Sequence, residues 1–536
     1  MEVRALSSLN LPRFFATIGG LIFAIAIGMI VGQNELKPIL VASSLPLLVL
    51  VVYNPQSAAL IALALTYSGL LIPGVPADKV NVSMATWLLL GVAVIFRAAF
   101  KRGSPLHLTA SHRFMLLFCG VVVATMLVRG TGFKFLGGDT WGGMVYVQLV
   151  LGAATVFFLQ KADVSPRWWP RVFIAMALFA LIPVVAEFFF GSRLEYFVAG
   201  AGALESQEAA AGFSRDHISR YQSASVAAAP MLAAVLVCFS TGYIMSPRGL
   251  WVLPGIAVIF AFSLMGGFRS QLFILAGTFA ITAFQQKAIT TMRVVTIGSV
   301  FCITVFLAAA NARSLPPVVQ RALAWVPGAQ IQEYVITDAS STIVWRLDLW
   351  QRGIASIPDY WILGKGFAFS ERDLMAATGI NGAKDPTEWA VVTSAFHNGP
   401  LGLLVGLGVV GLISGLGFII SVFLRHYKIM KETWNDPQLQ RCHQIFNAMF
   451  IFHTVLFLTL YGDVQTSFPQ FFFFLAIMEA VRASDQRLTK ATPVFEGSPQ
   501  QTPLTHPRFA LPQNVVRGRP RPSRPTLKPA LNDSLR

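Results

Sequence analysis

Arg269 combines a chemically useful side chain with a position at the start of a long apolar segment. It follows Gly266-Gly267-Phe268 and comes directly before Ser270, where that segment begins. A helix N-terminus carries positive partial charge and unpaired N–H groups, so a cation there is unfavourable unless an anion such as a phosphate binds beside it. Arg269 is therefore a candidate anion ligand. The alternative is an interfacial arginine that reaches lipid headgroups.

His397 is a candidate general base. It precedes Asn398, which suits the N-cap of a long apolar helix, and Pro400, which suits the first turn of that helix. The positive end of the helix dipole disfavours a protonated imidazole, and a neutral histidine can accept the proton of a hydroxyl group. The alternative is a histidine that only helps to cap the helix.

Arg346 lies in a tryptophan-rich stretch that is predicted to be helical from Ser341 to Ile357. Asp348 and Arg352 are spaced to pair with each other on one helix face. Arg346 is therefore a second candidate anion ligand.

Three further cations are candidate phosphate contacts. Arg220 lies close to the start of the apolar segment 222–246. Arg215 is expected to pair with Asp216 or Glu208, and Lys365 lies in a predicted loop where lysines are usually solvated. Among these three residues we favour Arg220 as an anion contact.

The elements that must position these residues are membrane helices. The chain has 536 residues, of which 55% are hydrophobic and only 12% charged, whereas a soluble domain carries about 25% charged residues. Only helices and closed barrels satisfy the backbone in lipid. The sequence predicts an all-α polytopic integral membrane helix bundle of about 12–14 transmembrane helices with a large extracytoplasmic insert. This composition excludes a soluble enzyme, a secreted disulfide scaffold and a nucleic-acid-binding protein.

Fourteen apolar segments are long enough to span a membrane. They lie near 14–32, 37–53, 57–73, 83–100, 113–128, 142–160, 170–190, 222–246, 249–265, 270–286, 293–310, 400–424, 443–461 and 466–482. Sixteen Lys and Arg residues fall in the loops on the side of the N-terminus and eight in the short loops opposite. The positive-inside rule therefore predicts cytoplasmic N- and C-termini.

Four parts of the chain follow from this topology. Residues 1–310 are predicted to hold the first eleven transmembrane helices, and residues 311–397 an extracytoplasmic loop that carries part of the site. Residues 398–483 are predicted to hold the last three transmembrane helices. Residues 484–536 form a Pro/Arg-rich tail that we expect to be disordered and cytoplasmic. A solvated tail with no specific partner is favoured, and contact with anionic membrane lipids is the alternative.

Two other chemistries receive no support from the sequence. The four cysteines form no Cys-x-x-Cys pair, so we expect neither a disulfide nor a metal site. The stretch from Gly406 to Gly411 matches a dinucleotide-binding pattern but lies inside a predicted transmembrane helix. With Gly402 and Gly415, we interpret it as a close helix-packing face.

Taken in their order along the chain, these motifs resemble those of the O-antigen ligase and polysaccharide polymerase superfamily. The resemblance covers roughly residues 210–480 and depends on four features: Arg269-Ser270 before a span, Arg346 with Trp350 in a large insert, the turn-rich break from Pro358 to Gly366, and His397-Asn398 opening the next helix with three spans remaining.

The resemblance implies a glycosyltransferase in the bacterial inner membrane. Such a protein moves a glycan from an undecaprenyl diphosphate carrier to a hydroxyl of a glycan, lipid or protein acceptor at the outer face. It needs no nucleotide sugar, cofactor or obligatory metal. Arg269 and Arg346 would hold the diphosphate, with Arg220, Arg215 and Lys365 as further contacts, and His397 would activate the acceptor hydroxyl.

Three alternatives remain open from the sequence. A repeat-unit polymerase would share the donor and the mechanism and differ in the acceptor. A secondary transporter or flippase usually needs ionisable groups near the membrane midplane, whereas Glu187 and Glu479 lie near span ends. A noncatalytic scaffold would tolerate alanine at Arg269, Arg346 or His397.

Overall fold

The computed structural model describes residues 54–72, 81–100, 108–133, 140–194, 197–199, 220–267, 269–377, 386–459 and 461–491. The first two predicted spans, Arg215 and most of the basic tail lie outside these residues.

The described residues form eighteen α-helices and one short pair of strands. The helices are α1 (Pro55–Leu65), α2 (Val82–Phe100), α3 (Ala110–Arg129), α4 (Gly143–Lys161), α5 (Trp169–Phe179), α6 (Leu181–Phe189), α7 (Gln222–Cys238), α8 (Thr241–Ile244), α9 (Leu253–Met265), α10 (Arg269–Gln285), α11 (Thr291–Ala310), α12 (Pro317–Leu323), α13 (Glu333–Ser356), α14 (Glu371–Ala377), α15 (Pro386–Val392), α16 (Gly399–Ile429), α17 (Pro437–Thr459) and α18 (Val464–Ala491). The strands β1 (Thr140–Trp141) and β2 (Phe369–Ser370) pair in antiparallel fashion.

Seven helical segments of the described residues are long and apolar enough to cross a membrane. They are Ala110–Arg129, Gly143–Lys161, Pro166–Phe189, Pro247–Met265, Gly399–Ile429, Pro437–Thr459 and Val464–Thr489. Large apolar side chains such as Phe189, Phe284 and Phe306 are each more than 70% exposed. Such exposure is unfavourable in water and favourable in hydrocarbon. The chain is an all-α, multi-pass membrane protein.

Local sequence explains where several helices begin. Asn54 and Thr109 accept hydrogen bonds from the first turns of α1 and α3, and Asn398 does the same for α16 through the N–H of Leu401 at 3.1 Å. These side chains satisfy N–H groups that have no partner within the helix. The predicted cap at Asn398 is confirmed.

Two predicted spans are interrupted in the structure. The segment 222–246 is a helix that ends at Cys238 and a short second helix whose N-cap is Ser240, with its hydroxyl 3.2 Å from the N–H of Tyr243. The segment 170–190 consists of α5 and α6, which meet at Ala180. In the first case a capping serine competes with continuation of the helix.

The core is centred on α18. Its phenylalanines are buried, and Phe468 stacks on Phe118 of α3 with ring centroids 4.2 Å apart. Phe472 contacts Phe418 of α16 at 5.1 Å. Aromatic packing of this kind fixes the positions of α3, α16 and α18, and the last two of these helices carry the candidate site at their N-terminal ends.

The predicted helix-packing face is confirmed at Gly402 and Gly415, where a Cβ would lie 3.4 Å from Val464 and 3.0 Å from Phe468 of α18, but the glycine run between them breaks α16. Gly408 has φ 72°, and the loop that precedes β2 hydrogen-bonds into the break. The N–H of Val409 donates to the carbonyl of Trp361 at 2.8 Å, and the N–H of Lys365 donates to the carbonyl of Val405 at 2.7 Å. A Cβ at Gly408 would lie 2.0 Å from the carbonyl oxygen of Ile362. Glycine is required there for both its conformation and its size.

Candidate active site

The helix starts that carry the predicted residues converge at one end of the bundle. The N–H of Tyr221, just before α7, donates to the carbonyl of Met265 at the end of α9, at 3.1 Å. The N–H of His397, just before α16, donates to Asp463 Oδ1, just before α18, at 2.8 Å. Long helices thus bring together polar residues that are far apart in the sequence.

His397 and Asp463 form a side-chain pair at this end. His397 Nδ1 lies 2.9 Å from Asp463 Oδ2, and the two side chains are 22% and 10% exposed. The atoms at this distance do not have the angles of a hydrogen bond, but the charge of a carboxylate so close to Nδ1 favours the proton on Nδ1, which leaves Nε2 as a proton acceptor. This arrangement suits a general base held by a carboxylate.

The backbone of His397 adopts an uncommon conformation. Its φ is 50°, in the left-handed region that non-glycine residues rarely occupy. The hydrogen bond from its N–H to Asp463 and the capped helix that follows hold the residue in this conformation. Such local strain often accompanies functional positioning of a side chain.

Aromatic rings surround the imidazole. The ring of Tyr461 stacks on His397 with centroids 5.2 Å apart and planes 8° apart, and Trp345 of α13 lies 5.5 Å away. Burial, followed by the nearby Asp463 carboxylate, raises the pKa of Tyr461, while Arg346 acts in the opposite direction. Tyr461 therefore remains a neutral phenol that supports the imidazole ring.

Arg346 extends the site from this pair toward other arginines. Its guanidinium lies over the Tyr461 ring at 5.5 Å. Burial lowers the pKa of Arg346, and Arg321 lowers it further, while Tyr461 and Asp463 act in the opposite direction. A partly desolvated guanidinium near another cation is an environment in which a bound anion would be stabilising.

Arg321 of α12 organises the neighbouring cations. Its Nε pairs with Asp338, its Nη1 donates to the carbonyl of Gly267 at 2.9 Å, and its Nη2 donates to Thr342 at 3.0 Å. The residue is buried, with 7% of its surface exposed. A buried arginine with three such contacts is held in place by the fold.

Two of the predicted arginines contact Arg321 or its partner Asp338. Arg269 Nε donates to the carbonyl of Arg321 at 3.1 Å, and Arg220 Nη2 lies 3.5 Å from Asp338 Oδ2. The structure therefore brings Arg220, Arg269 and Arg346 together around Arg321. We call Arg220, Arg269, Arg321 and Arg346 the arginine cluster.

The arginine cluster brings four guanidinium groups close together. Asp338 pairs with Arg220 and Arg321, and Asp463 interacts with Arg346. Like charges this close are destabilising without a counterion. An anion bound among these guanidinium groups would therefore be stabilising.

Lys365 has another role. Its Nζ donates to the carbonyls of Val391 and Val392 at 3.3 and 3.5 Å, at the C-terminus of α15. Lys365 is half-buried, not solvated as expected, and burial lowers its pKa. A cation at a helix C-terminus satisfies carbonyls that have no partner within the helix. No contact among the described residues joins it to the arginine cluster, so the structure does not assemble it with the other candidates.

Four residues of the site were missed by reasoning from the sequence: Arg321, Asp338, Tyr461 and Asp463. The sequence held a partial signal for Asp463, because this residue precedes an apolar segment and an acidic residue is favourable at a helix start. The predicted pair of Asp348 and Arg352 is confirmed, with 3.1 Å between Oδ2 and Nε.

Comparisons with known proteins add no assignment to this geometry. No protein-family model matches the sequence, and no curated protein matches it.

Proposed function

We propose that this protein is a glycosyltransferase that moves a glycan from an undecaprenyl diphosphate carrier to an acceptor hydroxyl. The proposal places the reaction at the outer face of the bacterial inner membrane, with residues 311–397 extracytoplasmic. The observation that carries it is the juxtaposition of the His397–Asp463 pair with the arginine cluster, joined through Arg346 and Tyr461.

In the proposed reaction, His397 Nε2 accepts the proton of the acceptor hydroxyl. The acceptor oxygen forms a bond to the anomeric carbon of the donor glycan, and the bond from that carbon to the diphosphate oxygen breaks. The bonding pair stays on the diphosphate, and the proton on His397 passes to solvent. Asp463 holds Nδ1–H and stabilises the imidazolium that forms transiently.

The arginine cluster supports a diphosphate as the leaving group. A diphosphate diester carries about two negative charges, and the clustered guanidinium groups offer it charge-assisted hydrogen bonds. Charge on the diphosphate grows as the bond breaks, so fixed guanidinium groups stabilise the transition state more than the bound donor. Arg346 is the proposed contact nearest the base, while Arg269 and Arg220 bind the far phosphate oxygens.

The contacts of Glu479 argue against a transporter. Glu479 forms a bidentate pair with Arg425, with Nη2 to Oε2 at 2.9 Å. A coupling carboxylate of a transporter must bind and release ions or protons. Acids held in this way suit a structural role.

The test is to delete the gene in its own host and measure the undecaprenyl-linked glycan that accumulates. We expect long lipid-linked chains on the outer face and no finished surface conjugate, which identifies ligation as the missing step. Single repeat units on the outer face would identify a polymerase with the same site. Units that remain facing the cytoplasm would refute the transferase and indicate a flippase.

Complementation of the deletion links this phenotype to the site. We expect the wild-type gene and Arg352→Ala to restore the conjugate, since Arg352 is exposed and pairs only with Asp348 and Glu388 among the described residues. We expect His397→Ala to fail although the protein reaches the membrane in normal amounts.

A further inference from the structure

A second feature of this end of the bundle is a cavity of about 400 Å³. It lies between the C-terminal end of α1, the first turns of α2 and α18, and the middle of α4. Pockets for small organic ligands have volumes of about 300–1,000 Å³. The cavity is large enough for a sugar unit.

The walls of the cavity are polar but uncharged. Among the described residues that line it there is no Lys, Arg, Asp, Glu or His. Three glutamines, Gln148, Gln465 and Gln470, line it together with hydroxyl residues. An electroneutral lining disfavours a phosphate and favours a ligand that is rich in hydroxyl groups.

The glutamine amides have unused hydrogen-bonding capacity. No hydrogen bond of Gln148, Gln465 or Gln470 side chains occurs within the part of the chain that the structure describes. The lining hydroxyls of Thr66 and Thr155 differ, since they donate to their own helices at 2.8 and 2.6 Å. Each amide offers two donors and an acceptor, which is the complement of adjacent sugar hydroxyls.

Two of these amides lie on membrane-crossing helices. Gln148 belongs to Gly143–Lys161 and Gln470 to Val464–Thr489, and both residues are exposed. An amide without hydrogen-bond partners is unfavourable in hydrocarbon. A polar ligand in the cavity would supply those partners.

Aromatic rings form an apolar side of the cavity. Tyr67 and Trp87 meet Phe473 edge to face, with centroids 6.1 and 6.2 Å apart. Sugar rings carry apolar C–H faces as well as hydroxyls. A site with amides on one side and aromatic rings on another suits both parts of a sugar.

One end of the cavity lies close to Asp463, the partner of the proposed base. Gln465 and Thr466 follow Asp463 by two and three residues, and the Thr466 hydroxyl lies 3.3 Å from the Asp463 carbonyl. With a rise of about 1.5 Å per helical residue, this part of the lining is within one turn of the carboxylate that holds His397. None of the helices that supply the arginine cluster lines the cavity among the described residues.

We propose that this cavity binds uncharged sugar residues of a glycan that reacts at His397, separately from the diphosphate. The inference rests on the proposed function for the identity of the reacting glycan. The sugars belong either to the donor or to the acceptor, and both present the same chemistry to the amides.

The test is equilibrium binding to purified full-length protein in nanodiscs, which does not require turnover. Three probes are used: glycan-free undecaprenyl diphosphate, the undecaprenyl-linked glycan that accumulates in the deletion host, and the acceptor from that host. The variants Gln148→Leu and Gln470→Leu remove an amide at nearly constant volume. Gln160→Leu on α4, twelve residues beyond Gln148, is the matched control.

We expect each cavity variant to weaken binding of one glycan-bearing probe by about five- to tenfold and to leave binding of glycan-free undecaprenyl diphosphate unchanged. Weaker binding of the lipid-linked glycan assigns the cavity to the donor, and weaker binding of the acceptor assigns it to the acceptor. Arg346→Ala should show the reverse pattern, with weaker binding of glycan-free undecaprenyl diphosphate.

Wild-type affinity of both cavity variants for all three probes would overturn the proposal. Equal weakening for all three probes, the glycan-free carrier included, would also overturn it, because that result indicates a structural role. If wild-type protein binds the probes in the expected pattern but transfers no glycan, the proposed function fails and the cavity assignment stands.

Discussion

Asp463→Asn isolates the role proposed for the His397–Asp463 pair. The Asp463 carboxylate accepts the N–H of His397 at 2.8 Å and faces Nδ1 at 2.9 Å. In the variant, the amide oxygen can keep the backbone hydrogen bond, but the amide NH₂ then faces Nδ1. Nδ1 must become an acceptor, so the ring proton moves to Nε2, which can no longer accept a proton from the acceptor hydroxyl.

The expected loss follows from this change of tautomer. The equivalent substitution in a serine protease triad lowers kcat by about 10⁴, and general-base catalysis alone contributes about 10²–10⁴-fold. The arginine cluster is untouched, so leaving-group stabilisation persists. We therefore expect kcat to fall by about 10²–10⁴-fold and KM for both substrates to stay within about threefold.

The assay is transfer of radiolabelled glycan by purified protein in nanodiscs, measured over a range of donor and acceptor concentrations. Asp348→Asn is the control, because Asp348 is an exposed aspartate whose partner is Arg352 and not a histidine. We expect it to retain wild-type kcat. A kcat for Asp463→Asn within threefold of wild type would refute the assignment of the pair as the catalytic base.

Three further predictions concern other parts of the site and fold. Arg346→Ala should lower kcat/KM by about 10²–10³-fold in the same transfer assay, because a cation that stabilises the transition state is lost. Arg346→Lys should recover only part of this loss. Arg352→Ala, at an exposed residue, should leave kcat/KM unchanged. Tyr461→Phe should retain kcat within about threefold because the ring that supports His397 remains, whereas Tyr461→Ala should lose at least about tenfold. Gly408→Ala should lower the thermal unfolding temperature by several degrees, because a Cβ meets a carbonyl at 2.0 Å at a positive φ, and Gly120→Ala, whose Cβ meets nothing within 4 Å, should not.

Each of these predictions has a clear contrary result. Full activity of Arg346→Ala would show that Arg346 does not stabilise the leaving diphosphate. An equal loss of kcat in Tyr461→Phe and Tyr461→Ala would show that the phenol oxygen, and not the aromatic ring, supports His397. An unchanged unfolding temperature of Gly408→Ala would show that the loop inserted into α16 does not hold the fold.

Local features of the site were predictable from the sequence. The Asn398 cap and the pair of Asp348 and Arg352 both follow from spacings of three and four residues within one helix. His397 was identified because a histidine before a capped helix has a definite electrostatic environment. Helix-start rules thus located the polar residues without any tertiary information.

Contacts between distant residues were not predictable in this way. Asp463 lies 66 residues from His397, and Arg321 lies 52 residues from Arg269. Nothing in the sequence near Asp463 specifies which helix start it faces, since that depends on how α16 and α18 pack through Phe418 and Phe472.

The break at Gly408 in α16 was missed for a related reason, although Gly402 and Gly415 do pack against α18 as predicted. Small residues in an apolar helix usually mark close contact with another helix. Here the partner is the loop around Ile362, whose carbonyl occupies the space beside Gly408. A positive φ within a span is a backbone property that depends on this inserted loop and has no signature in hydropathy.

Transfer of a glycan away from a lipid diphosphate is the reaction that we propose for His397. Its most direct test is to give purified protein in nanodiscs a radiolabelled undecaprenyl-diphosphate glycan with acceptor, and to measure released undecaprenyl diphosphate and glycan on the acceptor together. We predict equal amounts of both products from wild-type protein and from Asp348→Asn, and neither product from His397→Ala, which still binds the donor. Wild-type protein that forms neither product, or His397→Ala that forms both at the wild-type rate, would contradict the account.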